Sequence, residues 1–128
     1  MITLVVTTHG QLAEGFLDAV ELIVGPQTNL YSVCLKAGDS FDEFQQNVAK
    51  HSIEGNVLYF TDLLGASPYN AVAQTISENR DKDITCITGV NLPLVIEALF
   101  KREKLTLKEL TDYLVNIGKD GITTLMFQ

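Results

Sequence analysis

An apolar run from Ile2 to Val6 ends in the polar tip Thr7-Thr8-His9-Gly10, and a helical pattern begins at once with Gln11. A strand that turns directly into a helix is the first half of a β-α-β unit, which implies a sheet with parallel neighbours and helical crossovers. In open sheets of this kind, ligands and chemistry gather outside the carboxyl ends of the strands. His9 therefore stands where a reactive group would stand. Imidazole is also the side chain best able to act as nucleophile, base or ligand near neutral pH. Alone it decides nothing, because a histidine at a strand end is more often structural than reactive.

The alternation continues along the chain. Leu12, Phe16, Val20 and Ile23 recur at helical spacing, so a first helix is expected from about Gln11 to Val24, stopped by Gly25-Pro26. A second strand is expected near Asn29 to Leu35. Gly38-Asp39-Ser40 then opens a helix in which Ser40 and Glu43 have the spacing of a capping box. Asn56 to Thr61 is almost continuously apolar, as a strand buried on both faces of a parallel sheet must be. It ends in Asp62-Leu63-Leu64-Gly65-Ala66-Ser67-Pro68-Tyr69-Asn70, where Ser67 before Pro68 reads as a helix start with the serine as N-cap.

That helix should reach roughly Glu78. A fourth strand, Ile84 to Thr88, is tipped by Gly89-Val90-Asn91-Leu92-Pro93 and followed by a helix to about Phe100. Thr106 and Glu109 suggest another capping box, with a helix to near Lys119. Past Gly121, Ile122 to Phe127 reads as a last short strand. The expected fold is α/β, an open and mainly parallel sheet with helices on both faces and right-handed crossovers. With 128 residues, no repeat and no linker, residues 1–128 should form one domain.

Composition removes several function classes. No apolar stretch approaches the ~20 residues of a membrane span, and Met1 leads straight into a strand without an export signal, so a cytoplasmic setting is expected. Cys34 and Cys86 lie in separate strand patterns without CxxC spacing, which suggests buried free thiols. The net charge of −7 disfavours nucleic acid and anionic membranes as partners. No Lys or Arg precedes Lys36, and none lies between Lys50 and Arg80. The two segments with candidate chemistry thus lack cations, and an anion there would rest on backbone amides, hydroxyls and helix termini.

Three strand tips should share one edge of the sheet: His9, then Asp62 with Ser67, then Asn91. A carboxylate on one ring nitrogen fixes a histidine's tautomer and stabilises charge that develops on the ring. Asp62 is the only acid in these loops, although an aspartate there can equally be a turn residue bonding its own backbone. Ser67 reads as a plain cap, yet a helix start also offers free amides to an anion, and Gly65-Ala66 would let the backbone come close to it. Thr8 and Gly10 would order the first tip, and Asn91 would cap its helix and order its loop. Leu63 and Leu64 are either core or, for at least one, an apolar rim facing a protein partner. His51, at a helix end, reads as a surface residue.

Other sites fail on particulars. The chain has no Walker-type loop and no GxGxxG, and His9 with Asp62 lacks a third metal ligand. Ser67, His9 and Asp62 supply the residue types of a serine hydrolase, but Gly65-Ala66-Ser67-Pro68-Tyr69 is not a GxSxG elbow.

Taken together, Thr-Thr-His-Gly at the first tip, Asp62-x-x-Gly-Ala-Ser-Pro-Tyr-Asn at the third and Gly-Val-Asn-Leu-Pro at the fourth make the whole chain resemble the mannose-type enzyme IIA components. These belong to the bacterial phosphoenolpyruvate-dependent sugar phosphotransferase system. The resemblance implies that His9 accepts a phosphoryl group at Nε2 from the histidine-containing phosphocarrier protein. It would then pass the group to a separate IIB component, which phosphorylates sugar brought in by the membrane IIC and IID components. Asp62 would be the carboxylate partner of His9, and Ser67, with Gly65 and Ala66, would contact the phosphate. The resemblance implies no cofactor and no metal. It also implies a homodimer in which the C-terminal strand is exchanged between subunits.

The family's loop has a second glycine where this chain has Ala66, and often other residues at Leu63 and Leu64. A rival resemblance, to the phosphocarrier subunit of dihydroxyacetone kinases, lacks the Ser-Pro-Tyr-Asn continuation. A signalling receiver needs paired acids where this chain has Thr-Thr-His.

Overall fold

The four inner apolar runs become four parallel strands, and a computed structural model describes them within residues 1–127. The chain runs β1 (Thr3–His9), α1 (Leu12–Val24), β2 (Leu30–Leu35), α2 (Phe41–Ala49), a short 3-10 turn (Lys50–Ser52) and β3 (Val57–Thr61). It continues with α3 (Ser67–Glu78), β4 (Ile84–Thr88), α4 (Leu92–Lys101) and α5 (Leu107–Ile117). The strand order is β2-β1-β3-β4. β1 and β3 are therefore central, which is why Leu4, Val5, Val6, Leu58, Tyr59 and Phe60 are fully buried.

Alternate residues of each strand face opposite layers. Leu4, Val6, Leu58 and Phe60 pack with Val20 of α1, Val95 and Ala98 of α4, and Leu110 and Leu114 of α5. Val5, Val33 and Tyr59 pack with Phe44 and Val48 of α2 and Ala71 and Val72 of α3. Both faces are covered by helices, as the alternation required. Tyr59 can be buried because its hydroxyl donates to Val48 O at 2.7 Å. Arg102 is only 5% exposed, and its guanidinium donates to the carbonyls of Ile2, Thr28 and Asn29. It thereby ties the end of α4 to the edge of the sheet opposite His9.

The helix boundaries follow local chemistry. Gly25, at φ +83°, turns the chain out of α1 in a conformation that favours glycine. Thr106 and Glu109 form a complete capping box at α5. At α2 only half of the expected box is made, with Ser40 Oγ accepting from the Glu43 amide at 3.3 Å. α5 stops at Ile117, two residues before the expected end, and Gly118 packs directly on Leu94. A side-chain carbon there would fall 2.7 Å from Leu94 Cδ2. Cys34 and Cys86 are free but only partly buried, less so than the strand pattern suggests.

The largest departure lies at the C-terminus. Ile122 to Phe127 forms no strand on its own chain's sheet, and Ile122, Leu125, Met126 and Phe127 are all exposed. The sheet accordingly ends at β4. No helix among the described residues is long and apolar enough to cross a membrane.

Candidate functional site

The strand order makes β1 and β3 neighbours, while α1 and α3, which follow them, leave to opposite faces. A crevice opens at such a switch point beyond the carboxyl ends of the two strands. His9 ends one of these strands and Asp62 follows the other.

The structure joins them. His9 Nδ1 lies 2.8 Å from Asp62 Oδ2, and the His9 amide donates to the same oxygen at 2.9 Å. Asp62 Oδ1 accepts from the Leu63 amide at 3.0 Å. The carboxylate thus faces three N–H groups and only 11% of its side chain is exposed, whereas 44% of the His9 side chain is exposed. Burial on its own would raise the Asp62 pKa. The His9 amide, the His9 ring and its charge, and the adjoining backbone outweigh that effect and hold it below its ordinary value. An ionised carboxylate can only accept hydrogen bonds, so in the neutral form of the ring the proton sits on Nδ1 and the lone pair on Nε2.

The first tip is braced from beneath. Thr8 is fully buried; its hydroxyl accepts from the Ala13 amide at 2.8 Å and donates to His9 O at 3.1 Å. It therefore satisfies a free amide of the first turn of α1 while orienting the peptide after His9. Gly10, at φ +59°, turns the chain toward α1, and its amide donates to Leu35 O at 2.8 Å.

The third tip differs from the sequence expectation at one residue. Ser67 is not the N-cap of α3. Ala66 occupies that position, Ser67 is the first helical residue, and no side chain caps the helix. The reason is Gly65, whose φ of +79° completes the turn one residue early. The Ser67 hydroxyl makes no hydrogen bond among the described residues, nor do the amides of Gly65 and Ser67. The Ala66 amide is engaged, donating to Leu63 O at 3.3 Å, and Asn70 Nδ2 fastens the loop to Gly65 O at 3.2 Å. A free hydroxyl and free amides at a helix start form an anion-receptive end close in sequence to Asp62. Leu63 and Leu64 are both outside the core, 61% and 75% exposed.

Asn91 does not join the pair. Its Oδ1 caps α4 at the Leu94 amide, 3.0 Å away, and its Nδ2 donates to Gly118 O at 3.2 Å. It therefore orders the fourth tip, as its position suggested. His51 lies at the opposite edge, half-buried against Tyr31 with ring centroids 4.8 Å apart. Burial, and then the charge of Lys50, lower its pKa. Among the described residues, no group of three His, Cys, Asp or Glu side chains could hold a metal ion.

Local sequence reasoning missed one group. Lys36 lies outside both segments scanned for cations, yet strand order carries it to the tip beside β1, because Leu35 is the register partner of His9. Its Nζ sits 3.1 Å from Glu14 Oε1 in the first turn of α1. The signal was present in the β-α-β pattern, since the strand after a crossover commonly lies beside the first.

Fold and site together define an α/β protein with an exposed, carboxylate-oriented histidine at the switch point of its sheet. The family model described as the PTS system fructose IIA component matches residues 3–115. The chain belongs to this enzyme IIA family of the phosphotransferase system, the one that contains the mannose-type components.

Among similar proteins, the fructose-specific EIIA component of Bacillus subtilis is 32% identical over 89% of this chain and 80% of its own length. The mannose-specific EIIAB component of Escherichia coli is 29% identical over 97% of this chain, which spans only 39% of that protein. Of the solved structures, an EIIA component from Streptococcus agalactiae superposes with a TM-score of 0.92, at 29% identity and 97% of both chains. A mannose/sorbose-specific IIA subunit from Enterococcus faecalis gives 0.87, at 28% identity, over 99% of this chain and 96% of that one.

Proposed function

We propose that this chain is a phosphocarrier that takes a phosphoryl group on His9 Nε2 from the histidine-containing phosphocarrier protein and passes it to a separate IIB component. The observation that carries this reading is the pairing of Nδ1 with Asp62 Oδ2 at 2.8 Å on a side chain that is 44% exposed and whose other ring nitrogen makes no hydrogen bond among the described residues. In the forward step, the Nε2 lone pair attacks the phosphorus of the donor's phosphohistidine. One N–P bond forms and the donor's N–P bond breaks. The donor imidazole leaves with the bonding pair and takes a proton from solvent. Nδ1 keeps its own proton throughout, and the positive charge that develops on the His9 ring falls beside Asp62.

Ser67 Oγ and the amides of Gly65 and Ser67 offer donors to the phosphoryl oxygens, and Ala66 supports the turn that presents them. Such donors hold a phosphate more weakly than an arginine fork would, which suits a group that must be passed on. The IIB component would in turn supply sugar phosphorylation at the membrane IIC and IID components. The exposed rim of Leu63 and Leu64 fits a surface visited by protein partners rather than by free sugar.

A homodimer belongs to the same reading. β4 is an unpaired edge, and beside it lies a groove of about 230 Å³ lined by Ile87, Leu94, Val115 and Ile122 among others. An unpaired edge strand next to an apolar, exposed C-terminal segment is an association hazard, and exchange of that segment with a second copy relieves it.

Incubation with phosphoenolpyruvate, enzyme I and the phosphocarrier protein tests the reading. It should place one acid-labile, alkali-stable label on His9. Label that persists in His9→Ala, or that maps to His51, refutes it.

A further inference from the structure

Lys36 follows Leu35, and Leu35 is paired with His9 across the β1–β2 ladder. The Gly10 amide on Leu35 O laces the two tips together where Lys36 leaves the sheet. Neighbouring strands lie roughly 4.8 Å apart, which places the base of this lysine within one strand spacing of the histidine's own strand. The side chain is long and 47% exposed, and among the described residues its ion-pair partner is Glu14, itself 53% exposed.

The other cations stand elsewhere. Lys50, Arg80, Lys82, Lys101, Arg102 and Lys104 end or follow helices, or precede strands, at the opposite edge. Lys108 opens α5 near the start of β4 and pairs with Asp112. Lys119 lies beside the tip of β4, which β3 separates from β1. The charges closest in sequence to Lys36 and to His9 are acidic, Asp39 and Glu14 respectively, and Asp62 meets His9 in space.

We propose that Lys36 is the counter-charge for phosphorylated His9. Glu14 holds it while the ring is free, and the phosphoryl group draws it away once transfer has occurred. This assignment rests on the phosphocarrier reading above. A phosphoryl group near pH 7 carries roughly −1.5 to −2 charge, against −1 for Glu14. An ammonium on a flexible stem follows the larger charge, because attraction scales with charge at a given separation and dielectric. Leaving Glu14 costs little, since an exposed ion pair contributes at most about 1 kcal/mol. The cation is also a single ammonium rather than a planar guanidinium fork, so it screens the phosphate without clamping it. Return to Glu14 on dephosphorylation restores the starting state, which a carrier requires.

The test compares Lys36→Met, Glu14→Gln and the double variant in the full chain. The readouts are the equilibrium of phosphoryl exchange with the phosphocarrier protein, and the 15N shift of the Lys36 ammonium before and after phosphorylation. Lys36→Met should reduce the phosphorylated fraction at equilibrium, with a change of about threefold to tenfold in the exchange constant. Glu14→Gln should move the constant the other way, because it frees the lysine, and the double variant should match Lys36→Met. The lysine 15N signal should shift on phosphorylation in the wild type.

If the pair merely clasps α1 to β2, both single variants break the same contact and move the constant in the same direction, or neither moves it. Either result overturns the assignment, as does a lysine signal that ignores phosphorylation. A wild-type protein that takes no label at all is recognised before any variant is compared. That outcome defeats the phosphocarrier reading, and the role of Lys36 falls with it.

Discussion

Replacing Asp62 by asparagine isolates what the carboxylate does, because shape and volume barely change while one acceptor becomes a donor. The two carboxylate oxygens face three N–H groups: the His9 amide, His9 Nδ1–H and the Leu63 amide. Asparagine brings one oxygen and one NH₂. If its oxygen faces His9, the NH₂ opposes the Leu63 amide. If its oxygen faces Leu63, the NH₂ opposes the His9 amide and favours an unprotonated Nδ1. The ring proton then moves to Nε2 and removes the lone pair that attacks phosphorus.

Even in the better orientation, a hydrogen bond to a charged group worth about 1.5–3 kcal/mol becomes a weaker neutral one. The difference from a neutral bond is about 1–1.5 kcal/mol, so at about 1.36 kcal/mol per decade transfer onto His9 should slow by roughly 5- to 13-fold. Rapid-quench measurement of single-turnover transfer from the phosphorylated phosphocarrier protein gives the rate, and long-range 1H–15N NMR of the ring gives the tautomer. Transfer within twofold of wild type, with the Nδ1–H tautomer lost, would show that Asp62 does not act through the ring as argued.

Ser67→Ala should leave thermal stability within about 0.5 kcal/mol of wild type, because the serine caps nothing. It should slow transfer about tenfold through loss of one donor to the phosphate, as read in the same quench experiment. The Asp62 pKa is lowered in the folded state, so its contribution to stability is fully present above the ordinary carboxylate value. It is lost as pH falls below roughly 4 through the lowered folded value. Denaturant melts from pH 6 to pH 2 should therefore show a steeper acid decline in wild type than in Asp62→Asn. Truncation after Gly121 should leave the far-ultraviolet circular dichroism nearly unchanged, since residues 122–127 form no strand on their own sheet. By sedimentation, the same truncation should convert a dimer to a monomer at micromolar concentration.

The fold and the central pair were legible because each rests on a short-range pattern. A buried parallel strand must be apolar along its length, and its polar tip marks the carboxyl edge. Reading Ile2–Val6 and Asn56–Thr61 that way was enough to put His9 and Asp62 on one edge. Three features were not legible, each for a different physical reason. Ser67 lost the cap position because Gly65 adopts a positive φ and closes the turn before it. A Ser-Pro pair tells only that a helix begins nearby, since serine is acceptable at the cap and at the first turn alike.

Ile122 to Phe127 has the apolar content of a strand, but pattern reports what a segment needs to bury and not which chain supplies the partner. That is why the segment can read as a strand and still pair with nothing in its own sheet. Lys36 was hidden by topology. Scanning for cations near His9 and near Asp62 treats neighbours in sequence as neighbours in space, whereas the order β2-β1-β3-β4 sets the tip of β2 beside that of β1. A chain poor in cations around its reactive tips still brings one there through strand order, and the acid that holds it, Glu14, sits in the first turn of the helix that follows His9. The charge environment of His9 is therefore a property of the sheet, and it follows from the sequence only once strand order is known.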